Sequence, residues 1–578
     1  MKPIGKIFYL YLAFLLILLS SCAEDSGSTI SSINEPASGS GEYFHVDKIG
    51  GEGEFLYTHD VGSTAKDLYF IFTNNSSVST TVAKVSSQNG GEAFASVMQK
   101  SITAEPDLLE YAREHGIALR GKPEVTEFNA NPPAFEYSDS FRNLQSNVAN
   151  PLFAVSDSTE DINNFNTLDG VIPTTTTATL RLKKISTDSN VTVNIWVAND
   201  AWGSCLKHYC MNQTMAEEFA GRFIKTDGDN DIYDWVTNIF GLPWGSHTDT
   251  NLIDASSASQ IDILFLDIDN DGNKNEVKLD GGVVGYFYSQ DNYKSSRLPN
   301  SNERLLFYMD SVFSARPDVT DSWTINDYWP SEMVSTLAHE FQHMIHFYQK
   351  NVIQNVSSDI WLNEMASLVT EDFLAKKLGI IGPRGVDSSI GNAGSSENIS
   401  GRIPLFNYYS YTSVTEWNNS SINYSINYAF GAYLARNFGG ALLFQKIVQN
   451  EYGTYKAVEQ ALSDMGYSLT FAQLLQQWGT AVMLSDQTDM DVGYRYNTGN
   501  YFESSLNGID YSLGSINFFN YSAGTLTGPG IYSESGLASL SAQYKTSNIY
   551  VKMAESVTGS YSKTIDLPAN VKLTVVTK

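Results

Sequence analysis

The stretch Ser335–Lys350 reads STLAHEFQHMIHFYQK and holds three of the chain's eight histidines. Around it Met333, Val334, Leu337, Phe341, Met344, Ile345 and Tyr348 recur at steps of three and four residues. That is the period of an amphipathic helix. Pro330-Ser331 supplies a start, with Ser331 as N-cap and Glu332 near the positive end of the helix dipole. On this helix His339 and His343 stand one turn apart on one face, and Glu340 projects about 100° away from His339. Two neutral imidazoles so placed can bind one zinc ion, and the adjacent carboxylate can reach a water on that metal. The H-E-x-x-H pattern is short, however, and two surface histidines produce it too. Its surroundings decide.

Catalytic zinc takes three protein ligands and keeps a fourth position open. The extended pattern H-E-x-x-H-x-x-G-x-x-H is excluded, because His346 and Gln349 stand where Gly and His would be. The other solution is a glutamate from a second helix. WLNEMASLVTEDFLAKKLG (Trp361–Gly379) reads as that helix, ending at Gly379 with Lys376 and Lys377 in its last turn. Glu364 lies near its start, 21 residues after His343. Glu371 is the competing carboxylate. Glu364 is preferred because it sits beside apolar Leu362, Met365 and Leu368.

Together, AHEFQHMIHF and WLNEMAS resemble the hyicolysin family of bacterial zinc metallopeptidases, within the glutamate-liganded zincins. Segments 230–241, 262–271, 285–293, 301–311 and 428–440 are similar to parts of that family's catalytic domain, so the resemblance spans about 200–485. It implies an α+β zincin domain acting as an endopeptidase on proteins or peptides. It also implies His339, His343 and Glu364 on zinc, with Glu340 as catalytic base. One departure from the thermolysin type is Leu368, where that type has Asp four residues after the ligand glutamate. The carboxylate that orients a ligand histidine must come from elsewhere. The G-A-M-E-N exopeptidase signature of related aminopeptidases is missing from the chain, which favours endopeptidase action. A tyrosine that donates to the oxyanion is sought at Tyr428 in INYAFGAYLARNFGG, in preference to Tyr433 within the same stretch and Tyr424 just before it. A core aromatic is the alternative for each. The substrate is expected to pair with an edge strand, for which RLLFYMD (Arg304–Asp310) is the candidate.

The competing class is a non-enzymatic surface adhesin with a relic or structural zinc site. The presence of all four key residues argues against decay. A closed structural site would need a fourth ligand, and His346 is the nearby candidate.

Residues 1–21 read as a lipoprotein leader: Lys2 and Lys6, then the apolar IFYLYLAFLLILL, then small residues before Cys22. The apolar run is too short to span a bilayer. Cleavage before Cys22 and lipid attachment to its thiol are expected, with 22–41 as a flexible tether and the membrane reached through that lipid. Losing Lys2 and Lys6 leaves 34 basic against 64 acidic residues, a net charge of −30. Such a chain repels nucleic acid. In an exported protein Cys205 and Cys210 read as a disulfide. DIDNDG, with Asp267, Asp269 and Asp271, has the oxygen spacing of a calcium loop, but its twelfth position is Lys278. An acidic turn is the alternative.

The expected organisation is a β-rich domain over 42–200, the zincin domain over 201–488 and a second β-rich domain over 489–578. Strands within 42–84 and 174–199 are expected to form one β-sandwich. Helices are expected at 105–116, 213–225, 231–240, 331–350, 360–378, 426–437, 441–450, 455–465 and 470–484.

Overall fold

The computed structural model describes residues 42–46, 53–86, 118–133 and 157–578, apart from 227, 277–280, 319–321, 381, 386–400 and 524–525. The leader, Cys22, the tether and the helix expected at 105–116 lie outside them. No helix among the described residues is long and apolar enough to cross a membrane.

A seven-stranded sheet carries the site. Its strands are β1 (Ala118–Arg120), β2 (Ile162–Asp169), β3 (Ile172–Ile185), β4 (Thr192–Ala198), β5 (Gln260–Leu266), β6 (Gly282–Phe287) and β7 (Leu306–Asp310), in the order β1-β6-β7-β5-β4-β3-β2. Every residue of β5, β6 and β7 is buried. Strands of this kind are covered on both faces, and their continuous apolar runs reflect it. β7 lies between β6 and β5. The segment expected to be the substrate-pairing edge is therefore internal, and β6 is the last long strand on that side.

Four helices concern the site: α1 (Pro123–Ala130), α2 (Tyr328–His346), α3 (Ile360–Leu378) and α4 (Ser421–Asn437). α2 crosses β6 and β7, α3 packs on α2, and α4 packs on α3. α2 starts earlier than Ser331, with Asp327 as N-cap and Pro330 in the first turn, where its missing N–H costs nothing. It runs on into a wider π-type turn, Phe347–Ile353. From Met333 to His346 every residue is buried. The helix is thus central, not a surface helix with one wet face, and its polar residues are in the interior for a reason other than solubility. Gly285 on β6 lets it come close. A Cβ there would lie 2.7 Å from Thr336 Cγ2 and 3.4 Å from Glu340 Cγ. The remaining long helices expected after residue 200 all form, with ends shifted by a few residues.

The expected sandwich of 42–84 with 174–199 does not form. Strands Glu42–Val46 and Lys66–Asn74 pair with Ser547–Val557 and Val571–Thr577 in a five-stranded sheet. Gly53–Asp60 and Lys84–Ser86 pair with Ser560–Leu567 in a second sheet. Phe55, Tyr57, Leu68, Phe70, Phe72, Ile549, Val551, Ile565 and Leu573 form one core between the two. The β-rich ends of the chain thus build one unit together. β3 and β4 belong instead to the seven-stranded sheet, where β4 (TVNIWVA) is buried along almost its whole length. Alternation identifies a strand and the face it buries but leaves its partner open.

Candidate active site

α2 presents His339 and His343 one turn apart, and α3 presents Glu364 opposite them. The two Nε2 atoms are 3.1 Å apart, and Glu364 Oε2 lies 3.4 Å from His339 Nε2 and 3.6 Å from His343 Nε2. Zinc ligands about 2.05 Å from the metal in a tetrahedron stand about 3.3 Å from one another. The triangle has that size. In the tautomer that satisfies the partners of both rings, each proton sits on Nδ1 and both Nε2 lone pairs are free. His339 Nδ1–H donates to Glu371 Oε1 at 2.8 Å. His343 Nδ1–H faces Asn363 Oδ1 at 3.0 Å and Ser367 Oγ at 3.1 Å. Ser367 gives its own proton to Gln342 Oε1, so its oxygen is free to accept. Both Nε2 lone pairs therefore point at one spot beside a buried carboxylate oxygen, Glu364 Oε2, that has no hydrogen-bond partner. The donor set fits zinc, and it is the only cluster of this kind among the described residues.

Glu371 thus stands outside the triangle and holds the far nitrogen of one of its rings. It lies two helical turns beyond Glu364, on the same face of α3. It takes the role that Leu368 left vacant, and sequence spacing had cast it only as a competitor. Ser335 Oγ donates to its second oxygen at 2.9 Å, and Arg120 lies against that oxygen at 3.1 Å.

Glu340 lies under Gly285, wholly buried, and neither carboxylate oxygen makes a hydrogen bond among the described residues, although the Phe287 amide lies close. Burial pushes its carboxyl up to about 8. Glu364 is held down to about 2; burial opposes this, and the two histidines beside it outweigh burial.

The tyrosine that α4 brings to this place is Tyr424. Its ring is buried, and its hydroxyl is within the field of Glu364 and Glu340 and donates to the Arg120 carbonyl at 2.6 Å. Tyr428, one turn on, donates to Asp372 Oδ2 at 3.0 Å, and Arg436 closes on the same oxygen at 2.8 Å. Tyr428 is therefore a core residue, and Tyr433 likewise turns away to the Gly493 carbonyl. His346 is buried with no hydrogen-bond partner at either ring nitrogen and stands outside the ligand triangle.

Cys205 and Cys210 are bridged. The acidic loop differs from the calcium reading. Asp267 pairs with Lys207 at 2.7 Å and Asp269 pairs with Lys122. Each of these two carboxylates is thus held by a lysine from outside the loop.

The sequence profile of the family described as Peptidase M30 matches residues 173–578. The chain belongs to that family. It is also similar to the neutral metalloprotease ShpI of Staphylococcus hyicus, with 27% identity over 276 residues, or 46% of this chain. The chain spans 51% of the length of that curated relative. The resemblance to the hyicolysin family therefore holds. M30 membership covers the catalytic sheet from β3 onward, α2 to α4, and the C-terminal strands.

Proposed function

We propose that this M30 protein is a zinc-dependent endopeptidase. The observation that carries the reading is the convergence of His339, His343 and Glu364 on one point beside the unpartnered Glu340 carboxylate. A zinc ion held by His339, His343 and Glu364 would supply Lewis acidity for a bound water and for the scissile carbonyl. Glu340 takes the proton as the water oxygen bonds to the carbonyl carbon. It returns that proton to the amine nitrogen as the C–N bond breaks. Tyr424 donates to the oxygen on which charge develops. Glu371 and Asn363 hold the two rings in the tautomer that leaves Nε2 unprotonated. A groove of about 720 Å³ bordered by Trp361 shares Ala130 and Ile360 with the small cavity beside Glu340, His343 and Glu364.

The test is a peptide-library digest with zinc quantified in parallel, run on the full chain and in a Lys122→Ala/Asn129→Ala background. Cleavage is expected to vanish with chelation and to return with one equivalent of zinc. Tyr424→Phe is expected to keep its zinc and lose about 10²-fold in kcat with KM little changed. Tyr428→Phe is expected to keep kcat and lose only stability, about 1 kcal/mol for one buried hydrogen bond. Equal kcat losses for the two would refute the assignment.

We also propose export and lipid attachment at Cys22, on the strength of the basic, apolar and small-residue order before it. Palmitate labelling is expected in the wild type and not in Cys22→Ala. An unacylated wild type recovered wholly in the soluble fraction would count against it.

A further inference from the structure

The catalytic cleft already contains a stretch of peptide. β1 extends the sheet beyond β6, pairing Ala118, Leu119 and Arg120 with Gly282, Val283 and Gly285. An extended peptide substrate would use this same edge. Arg120 sits opposite Gly285, the residue beneath which Glu340 lies. Its carbonyl accepts the Tyr424 hydroxyl, the donor assigned above to the scissile carbonyl. Its guanidinium is 1% exposed and pairs with Glu332 and Glu371, each at 3.1 Å. Further on, Lys122 pairs with Asp269 and donates to the Leu168 and Gly170 carbonyls. α1 then lies over the site. Asn129 uses its side-chain amide on β6 as a strand uses its backbone, donating to the Phe287 carbonyl at 2.7 Å and accepting from the Ser289 amide at 2.8 Å.

The consequence is occlusion. His339 and Glu340 are 0% exposed, Glu364 2% and His343 6%. The cavity left between the segment and the site is about 10 Å³, room for one water. No peptide bond reaches Glu340 with the segment in place. The open groove bordered by Ala130 and Asn131 begins where the segment ends. The M30 match begins at residue 173, so the segment precedes the region shared with the family.

Building on the peptidase reading, we propose that Ala118–Ala130 is a built-in inhibitor occupying the substrate cleft, with Arg120 filling an acidic subsite, Glu332 and Glu371, that takes a basic side chain of the substrate. The enzyme is latent until the segment leaves. Departure uncovers the β6 edge, frees the Tyr424 hydroxyl for a substrate carbonyl and empties the acidic subsite. Ser335 and His339 still donate to Glu371, and the buried Arg402 lies in the field of both glutamates, but the place of the Arg120 guanidinium between them is open to a basic side chain of the substrate.

The experiment compares the full chain with a full-chain Lys122→Ala/Asn129→Ala variant, whose changes touch neither the metal ligands, Glu340 nor Tyr424. Three quantities are read: zinc content, affinity for a fluorescent hydroxamate directed at the metal, and cleavage of a peptide library. Zinc content is expected to stay the same. Probe affinity and cleavage rate are expected to rise at least about tenfold, since a buried ion pair anchoring the segment is gone. Equal probe affinity in both proteins would overturn the inhibitor. If probe affinity rises and nothing is cut, the inhibitor stands and the peptidase reading falls. For the subsite, a short peptide amide carrying Arg is competed against the probe beside its Ala counterpart. The Arg peptide is expected to displace the probe at least about tenfold better, and Glu332→Gln to shrink that difference. Equal displacement by the two peptides would overturn the subsite.

Discussion

Glu340→Gln is expected to fold, to hold about one zinc and to cut almost nothing. The amide has the size of the carboxylate but cannot accept a proton. Loss of a general base costs about 10²–10⁴-fold, and more where the same group also positions the attacking water. Glu340 is suited to both roles, because its two oxygens are buried and uncommitted beside the ligand triangle. The measurement is kcat/KM on a peptide substrate with zinc counted in the same sample. It is made both in the wild-type background and in Lys122→Ala/Asn129→Ala, so that an occupied cleft is not taken for a dead enzyme. Undiminished cleavage would place the chemistry outside α2. A zinc-loaded parent that cuts nothing in either background would favour the adhesin or structural-zinc alternative.

The second large effect separates the two glutamates of α3. Glu364→Ala removes one of three ligands and is expected to lower zinc affinity by orders of magnitude, with activity lost alongside. Glu371→Gln removes only the carboxylate that holds His339 Nδ1–H. An outer partner of this kind is worth about 10–100-fold in metal affinity or activity. The loss is therefore expected to be partial and to be rescued by added zinc. Competition against a chelating dye gives both affinities. If Glu371→Gln loses its metal more completely than Glu364→Ala, the ligand and its support have been exchanged.

The helix of His339 and His343, its partner helix and the choice of Glu364 as the residue facing them were legible in the sequence because they rest on local periodicity and neighbourhood. Four residues make one turn, so His339 and His343 share a face wherever the helix is placed. An apolar neighbourhood was enough to prefer Glu364 over Glu371. The Cys205–Cys210 pairing was legible for a similar reason, since only four residues lie between them. Even here locality had limits. Ser331 and Pro330 are plausible starting residues, but the helix begins at Tyr328, because an N-cap is decided by where the chain turns in from its neighbours.

Packing decided the rest. Glu371 became the partner of His339 only once α3 lay against α2, since a position two turns away carries no mark of which ring it meets. Tyr424 and Tyr428 are one turn apart on α4, and their spacing is blind to which hydroxyl meets the site and which meets Asp372. Lys207 and Lys122 pair with two aspartates of an acidic loop, Asp267 and Asp269, from 60 or more residues away. Strands at the two ends of the chain alternate well enough to be recognised, but alternation names a buried face and not the strand beside it. The sequence alone thus determined the chemistry available on each helix. The tertiary structure decided which groups face one another, and that the peptide now in the cleft is the chain's own, because contacts between distant segments are set by packing and leave no period to read.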